Sequence, residues 1–194
     1  MMSVLGAAAC LVANKAQAQG SIVFCNYDSA GTLAPVTYSG PSLDGLTSGE
    51  TVGTPSFTAD LLYSIGETGT YTDSGFTATF LAASGTTASS GGGLFGGLSN
   101  TVTINSYTSG DIAFEIEVYN GASYANSTIR GISAPIDINL LATSANHLGN
   151  GNFFDGNAST PMSGFTVSPV PEPATMALGG LGLTSLMLLR RKKA

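Results

Sequence analysis

The chain reads Ile112-Ala113-Phe114-Glu115-Ile116-Glu117-Val118-Tyr119 at the point where its pattern is most regular. The even-numbered positions of this stretch are all large and apolar, whereas Glu115 and Glu117 lie at odd-numbered positions. Successive side chains of a β-strand point to opposite faces. The stretch therefore predicts an antiparallel strand with one face in the core and the other face toward water.

Similar short segments recur on both sides of it, separated by turns rich in Gly, Ser, Asn and Asp. We predict further strands at residues 21–27, 57–65, 76–82, 101–107, 128–132, 136–141 and 165–167. Such spacing is typical of an all-β protein. The predicted fold is an antiparallel β-sandwich, either immunoglobulin-like or jelly-roll, and strand number and length favour the immunoglobulin-like topology.

Two local features refine this prediction. In residues 76–82, strict alternation puts Phe76, Ala78 and Phe80 on one face. Residues 82–97 are dominated by Ala, Ser, Thr and Gly, which predicts a flexible loop before the next strand.

The C-terminal residues fall into three parts. Val170-Pro171-Glu172-Pro173 is stiff and extended, because proline fixes φ and disfavours helix at the residue before it. Residues 174–189 are almost entirely apolar and would span about 24 Å as a helix, somewhat less than a bilayer core of about 30 Å. Arg190-Arg191-Lys192-Lys193 then predicts a cytoplasmic end. We therefore predict a single, short transmembrane helix.

Together these three parts resemble the PEP-CTERM sorting signal of Gram-negative bacteria. The resemblance implies recognition and processing by an exosortase, a membrane-embedded cysteine protease. It also implies export with transient anchoring in the inner membrane, followed by a cell-surface or extracellular location. The residues to which the resemblance gives a role are the sorting motif Val170, Pro171, Glu172 and Pro173, and the stop-transfer cluster Arg190, Arg191, Lys192 and Lys193.

The domain in front of the tail carries a second resemblance. Residues 19–27, 34–36, 57–63 and 114–119 follow one another in an order similar to that of uncharacterised β-rich PEP-CTERM proteins of Verrucomicrobia and their relatives. No catalytic residues follow from this similarity.

Residues 1–18 have the features of a secretory signal peptide. Residues 4–13 form an apolar run, and Ala16 and Ala18 provide the small side chains of a cleavage site. No Lys or Arg precedes the apolar run, and we expect the true start to lie upstream. The predicted organisation is thus a signal peptide at 1–18, a β-sandwich ectodomain at 19–169 and a sorting tail at 170–194.

The charge of the ectodomain excludes one class of partner. Arg130 is its single cation, against eleven acidic residues. Nucleic-acid binding depends on neutralising phosphates with Lys and Arg, so we predict no nucleic-acid partner.

Few residues are candidates for chemistry. Cys25 is the one cysteine after the signal peptide, so no intrachain disulfide forms, and we predict a buried, apolar-like thiol. His147 is the sole imidazole and cannot by itself form a zinc site. The Asn- and Gly-rich residues 146–157 contain Asp155 as their one carboxylate, which favours a polar turn over a calcium site. We predict no metal and no cofactor.

Glu115 and Glu117 lie about 7 Å apart on one strand face, a separation that could serve a glycosidase pair. Alternating glutamates are also typical of a solvent-facing sheet surface, and this interpretation is the stronger one. We also considered Tyr107, Tyr119 and Tyr124 as parts of a sugar-binding platform. We predict no catalytic residue.

The predicted function is a non-enzymatic protein of the cell envelope or extracellular matrix, with a structural or adhesive role in a surface or exopolysaccharide layer. The alternative is a carbohydrate-binding module that recognises the matrix polysaccharide. A secreted hydrolase is the weakest hypothesis. Expected partners are an exosortase, the inner membrane through the C-terminal helix, and exopolysaccharide.

Overall fold

The structure is a computed structural model that describes residues 20–28, 31–53, 57–82, 91–141 and 160–171. The predicted signal peptide, the loop with His147 and Asp155, the apolar segment 174–189 and the basic cluster 190–193 all lie outside these ranges. No helix within the ranges is long and apolar enough to cross a bilayer.

The described residues are all-β apart from one turn of 3-10 helix, Tyr124–Asn126. The strands are β1 (Gly20–Cys25), β2 (Val36–Tyr38), β3 (Thr58–Ile65), β4 (Thr72–Thr79), β5 (Gly96–Ile104), β6 (Ile112–Tyr119), β7 (Ile129–Ile132), β8 (Ile136–Ile138) and β9 (Phe165–Pro169).

These strands form two sheets. The smaller sheet pairs β1 with β5, and the larger has the order β2-β9-β7-β6-β3-β4, with β8 also paired to β6. Strand β6 lies in the middle of the larger sheet, because β3 pairs along its whole length on one side and β7 and β8 share the other side. All pairings are antiparallel, as predicted, except that β2 and β9 run parallel.

One hydrophobic core joins the two sheets, as in a β-sandwich. The ring of Phe95 lies 5.3 Å from Phe24 and 5.5 Å from Phe80, measured between centroids. Both rings meet Phe95 at tilted or edge-on angles, which aromatic pairs prefer. Buried aliphatic side chains from both sheets complete the core: Ile22, Val102 and Ile104 from the smaller sheet, and Leu61, Ile112, Ile116, Val118, Ile129 and Val167 from the larger. The two sheets have two and seven strands, whereas those of immunoglobulin constant domains have four and three. This division does not support the predicted preference for an immunoglobulin-like topology.

Strand β6 occupies the predicted residues, and its apolar side chains are buried as expected. Its second face is drier than predicted: Glu115 and Glu117 are half-buried, and Tyr119 is nearly buried. The reason is the central position of β6: strands pair along both of its edges, so side chains of those strands flank its outer face.

The prediction of a flexible loop over 82–97 is wrong at its C-terminal end. Leu94 and Phe95 are buried in the core, and β5 already begins at Gly96. The glycines here serve close packing: a Cβ on Gly93 would lie 2.5 Å from the Val36 carbonyl oxygen, and one on Gly96 would lie 2.1 Å from that of Phe24. Residues 83–90 lie outside the described ranges.

Strand β1 is buried on both faces along its whole length. The prediction of a buried Cys25 is confirmed: its side chain is fully inaccessible, and its thiol donates a hydrogen bond to the Tyr27 carbonyl oxygen at 3.1 Å. Burial is the main cause that raises the pKa of this thiol.

Asn26, directly after β1, is a fully buried polar residue that the sequence analysis did not single out. Its amide nitrogen donates to the carbonyl oxygens of Ala34 and Gly93, each at 2.8 Å. Its amide oxygen accepts a hydrogen bond of 2.7 Å from the Phe95 N–H. One side chain therefore bonds three backbone groups, one at Ala34 and two in the segment from Gly93 to Phe95, at the end of the smaller sheet.

Candidate functional site

The predicted sorting motif follows the last strand without a spacer. Strand β9 lies inside the larger sheet between β2 and β7. The N–H of Val170 donates to the Thr128 carbonyl oxygen at 2.8 Å, whereas Pro171 is exposed. Glu172 and Pro173 lie outside the described residues. The domain is thus hydrogen-bonded up to the first residue of the motif.

A group of carboxyl side chains occupies the outer face of the larger sheet. Asp60 of β3 is directly opposite Glu117 of β6, and Leu62, two residues further along β3, is opposite both Glu115 and Asp73. Like charges opposite one another on a sheet repel. We call Asp60, Asp73, Glu115 and Glu117 the acidic face.

Burial is the main cause that raises the pKa of Asp60, Glu115 and Glu117. Neighbouring acids raise the pKa of Asp60 and Glu117 further, while Arg130 lowers that of Glu117. Tyr71 is hydrogen-bonded to Glu115, and its own burial together with that carboxylate raises the pKa of Tyr71 to about 12. One oxygen of Asp60, Oδ1, is buried without a hydrogen-bond partner.

The acidic face brings Glu115 and Glu117 together on one side of β6, as predicted. In the described part of the chain, no group of three or more His, Cys, Asp or Glu residues is arranged to hold a metal ion. That the two glutamates have no catalytic role stays a prediction.

The proposed tyrosine platform does not form. Tyr107 is fully buried. Its hydroxyl donates to the Gly110 carbonyl oxygen at 2.6 Å and accepts from the Leu141 N–H at 3.1 Å. Tyr119 and Tyr124 do meet edge to face, with 6.3 Å between their ring centroids. The Arg130 guanidinium lies over the Tyr124 ring, 4.8 Å from its centroid, so a cation–π contact occupies one face of this ring.

A cleft lies at the open edge of the sandwich, between β4 and β5. Its volume is about 220 Å³, and its lining residues are Tyr63, Ser74, Phe76, Thr103, Ile104, Asn105 and Ser106. The hydroxyls of Tyr63 and Ser106 share a hydrogen bond of 3.2 Å across it. None of the lining side chains carries a formal charge at neutral pH. We call this site the β4–β5 cleft.

A bulge in β4 explains why a phenyl ring lies there. Two residue steps along β3, from Asp60 to Leu62, correspond to four steps along β4, from Thr77 to Asp73. The extra residues turn outward at Gly75, where φ is 73°, and the Gly75 N–H donates to Asp73 Oδ1 at 2.7 Å. Of the three residues predicted to alternate on one face, Phe76 lies in this bulge and is 41% exposed, whereas Ala78 and Phe80 are buried.

The comparison with protein families concerns the C-terminal segment. Residues 169–192 match the family described as the PEP-CTERM protein-sorting motif. The chain carries a PEP-CTERM sorting motif. The motif supports export of the protein and its membrane-associated sorting by an exosortase. Neither the curated proteins nor the solved structures contain a match to the chain.

The match covers all four predicted motif residues and the first three residues of the predicted basic cluster, Arg190, Arg191 and Lys192. The match gives no roles to individual residues, so the roles predicted for these residues stay predictions, as do those of Ala16, Ala18 and Lys193. Similarity to a verrucomicrobial group likewise stays a prediction. Sequence reasoning missed the β4–β5 cleft; the one signal that pointed to it was Ser74-Gly75 interrupting a strand pattern just before Phe76.

Proposed function

We propose that this PEP-CTERM protein is a non-enzymatic component of the cell surface, with a structural or adhesive role in a surface or exopolysaccharide layer. The observation that carries the proposal is the junction at Val170. A β-sheet domain with its own core continues directly into an exosortase sorting motif, and such a motif supports export and membrane-associated sorting of the domain that it follows.

The surface of the domain supports a role among polysaccharides. The exposed positions of β4 and β5 are mostly Thr, Ser, Asn and Gly, which interact through hydroxyls and amides rather than through charge. The excess of acidic residues over Arg130 disfavours polyanionic partners and leaves uncharged polymers as suitable ones.

The tail and leader complete the proposal. Residues 1–18, cleaved after Ala18, would start export. Residues 174–189 would hold the protein in the inner membrane for a time, and Arg190 to Lys193 would keep the end of the chain in the cytoplasm. The exosortase then acts at Val170 to Pro173, and the domain reaches the cell surface or the matrix.

The experiment that tests this function compares cells with and without an exosortase. We expect a shortened protein at the surface when the protease is present, and a full-length protein in the inner membrane when it is absent. A matched variant in which Pro171, Glu172 and Pro173 are replaced by alanines keeps the apolar segment and the basic cluster. It should behave as though the exosortase were missing.

Equal surface levels with and without the exosortase would contradict the proposed function. So would normal processing of the triple-alanine variant.

A second candidate function, a carbohydrate-binding module, is favoured by the β4–β5 cleft. There an exposed phenyl ring faces uncharged hydrogen-bonding groups, and an apolar surface with a few placed polar groups is typical of small-ligand sites.

A further inference from the structure

We propose that the β4–β5 cleft binds one uncharged sugar unit of a polysaccharide, with the ring of Phe76 against the apolar face of the sugar. The proposal rests on the proposed function, since it names the polymer class and the site through which the domain would contact a surface layer.

The first support is the way in which Phe76 is exposed. Phe76 lies in the bulge between Asp73 and Thr77 and is exposed, whereas Ala78 of the same strand and the adjoining Phe80 are buried. Two local hydrogen bonds hold the bulge: the Gly75 N–H donates to Asp73, and the Phe76 N–H donates to Ser74 Oγ at 3.2 Å. Bulges at sheet edges commonly re-aim a side chain toward a binding site.

The second support is the set of polar groups around the ring. Asn105 offers an amide that both donates and accepts, and Ser74, Thr103, Ser106 and Tyr63 offer hydroxyls that also do both. Sugar hydroxyls need partners of this double kind. The hydroxyls of Tyr63 and Ser106 bond to each other and Ser74 Oγ accepts from the Phe76 N–H, yet each hydroxyl keeps further hydrogen-bonding capacity that a purely apolar ligand would leave unused.

The third support is charge. The lining has no cation to pair with an anionic sugar, and Asp73 lies next to the cleft residue Ser74. A uronic acid or a sulfated sugar would bring a second negative charge to this site without compensation. The cleft therefore favours neutral sugars.

The fourth support is size. At about 220 Å³ the cleft is smaller than the roughly 300–1,000 Å³ of sites for drug-sized ligands. It is open at the edge of the sandwich, between β4 and β5, and the isolated bridge Phe80–Phe95 joins the residue after β4 to the residue before β5. This shape suits one ring of a polymer whose other units continue outside.

The test is isothermal titration calorimetry on the full chain, purified in a detergent without a sugar headgroup. The probes are linear oligosaccharides of glucose, mannose and galactose, with oligogalacturonate as the charged comparison. We expect saturable binding to at least one neutral probe and weaker binding to the charged one.

Variants at Phe76 distinguish a specific contact of the ring from nonspecific hydrophobic binding. Phe76→Ala should weaken binding by about tenfold, while Phe76→Tyr keeps the ring and should retain it. The matched control is Leu98→Ala, which removes another exposed apolar side chain, on β5 but outside the cleft lining. Thermal melts of each variant check that the fold is kept.

Three results would overturn the proposal: no binding of any neutral probe, equal binding by Phe76→Ala, or a preference for the charged probe. Surface localisation of the same variants is measured in parallel. A wild-type chain that reaches the surface and binds no sugar overturns the cleft alone, whereas a chain that never reaches the surface overturns the proposed function.

Discussion

Asn26 shows how much one polar side chain contributes at the residue scale. Its three hydrogen bonds satisfy the carbonyl groups of Ala34 and Gly93 and the N–H of Phe95. Because the side chain is fully buried, water cannot replace it when it is removed. In the sequence, Asn26 is one polar residue inside the predicted strand 21–27 and gives no sign of this role.

We predict that Asn26→Ala lowers the free energy of unfolding by about 2–4 kcal/mol, since three hydrogen bonds are lost and their partners stay buried. Urea unfolding followed by circular dichroism measures the change. The exposed Asn100→Ala should alter it by less than about 0.5 kcal/mol. A loss below about 1 kcal/mol in Asn26→Ala would show that Asn26 does not hold these segments together.

The acidic face makes stability depend on pH. The pKa of Asp60, Glu115 and Glu117 is raised by folding, so the folded protein holds protons more tightly than the unfolded chain does. Their contribution to stability is fully present below the ordinary carboxyl pKa of about 4, and it is lost as the pH rises through the raised values. We predict a higher Tm at a pH of about 5 than at 7, measured by scanning calorimetry.

Replacing one acid tests the cause of that trend. Glu117→Gln removes the carboxylate that Asp60 and Asp73 repel, and we predict a higher Tm at neutral pH with a weaker pH dependence. Asp111→Asn removes the same charge at an exposed position outside the acidic face and serves as the matched control. A lower Tm in Glu117→Gln at neutral pH would mean that the electrostatic attraction between Glu117 and Arg130 outweighs burial and repulsion.

At the scale of elements, β9 decides where the folded domain ends. It pairs with β2 on one side and β7 on the other, and Val167 is fully buried. We predict that a chain ending at Pro171 folds with a cooperative thermal transition. A chain ending at Gly164 should fail to fold, because loss of β9 would remove a share of stability comparable to the typical total of about 5–15 kcal/mol.

Circular dichroism melts of the two truncated chains check this. Folding of the chain that ends at Gly164 would show that the domain does not need β9, the strand to which the sorting tail is joined.

Elements also show what the sequence could predict. Strand β6 is found at its predicted residues, because alternation of Ile, Phe and Val with Glu is an unambiguous local signal. Strand β4 begins at Thr72 rather than Phe76, because the bulge at Ser74–Phe76 interrupts the alternation. Strand β2 has three residues, Val36–Tyr38, too few to show a period, and it was missed.

The candidate sites follow the same rule. The sorting motif is contiguous, so its residues could be identified from the sequence and were matched. The β4–β5 cleft combines Tyr63, Phe76 and Asn105 from distant parts of the chain, and only the bulge and the sheet packing bring them together. The loop prediction over 82–97 failed for a related reason: glycines required for close approach have the same composition as glycines in a flexible segment.

Across the whole molecule, the tail and the cleft are separated along the strand order of the larger sheet. Strands β7, β6 and β3 separate β9, where the tail leaves, from β4, which bears Phe76. Four strand spacings correspond to roughly 19 Å. A domain held at a membrane through its tail would therefore keep the β4–β5 cleft away from the point of attachment, available to a polymer both before and after processing.

The intact mass of the protein recovered from the cell surface shows whether the sorting tail is removed during export. We predict a chain that keeps β9 and has lost Arg190 to Lys193, because processing of the tail by an exosortase would separate the folded domain from the basic cluster. A surface form that still extends to Ala194, or a full-length chain found free in the cytoplasm, would contradict it.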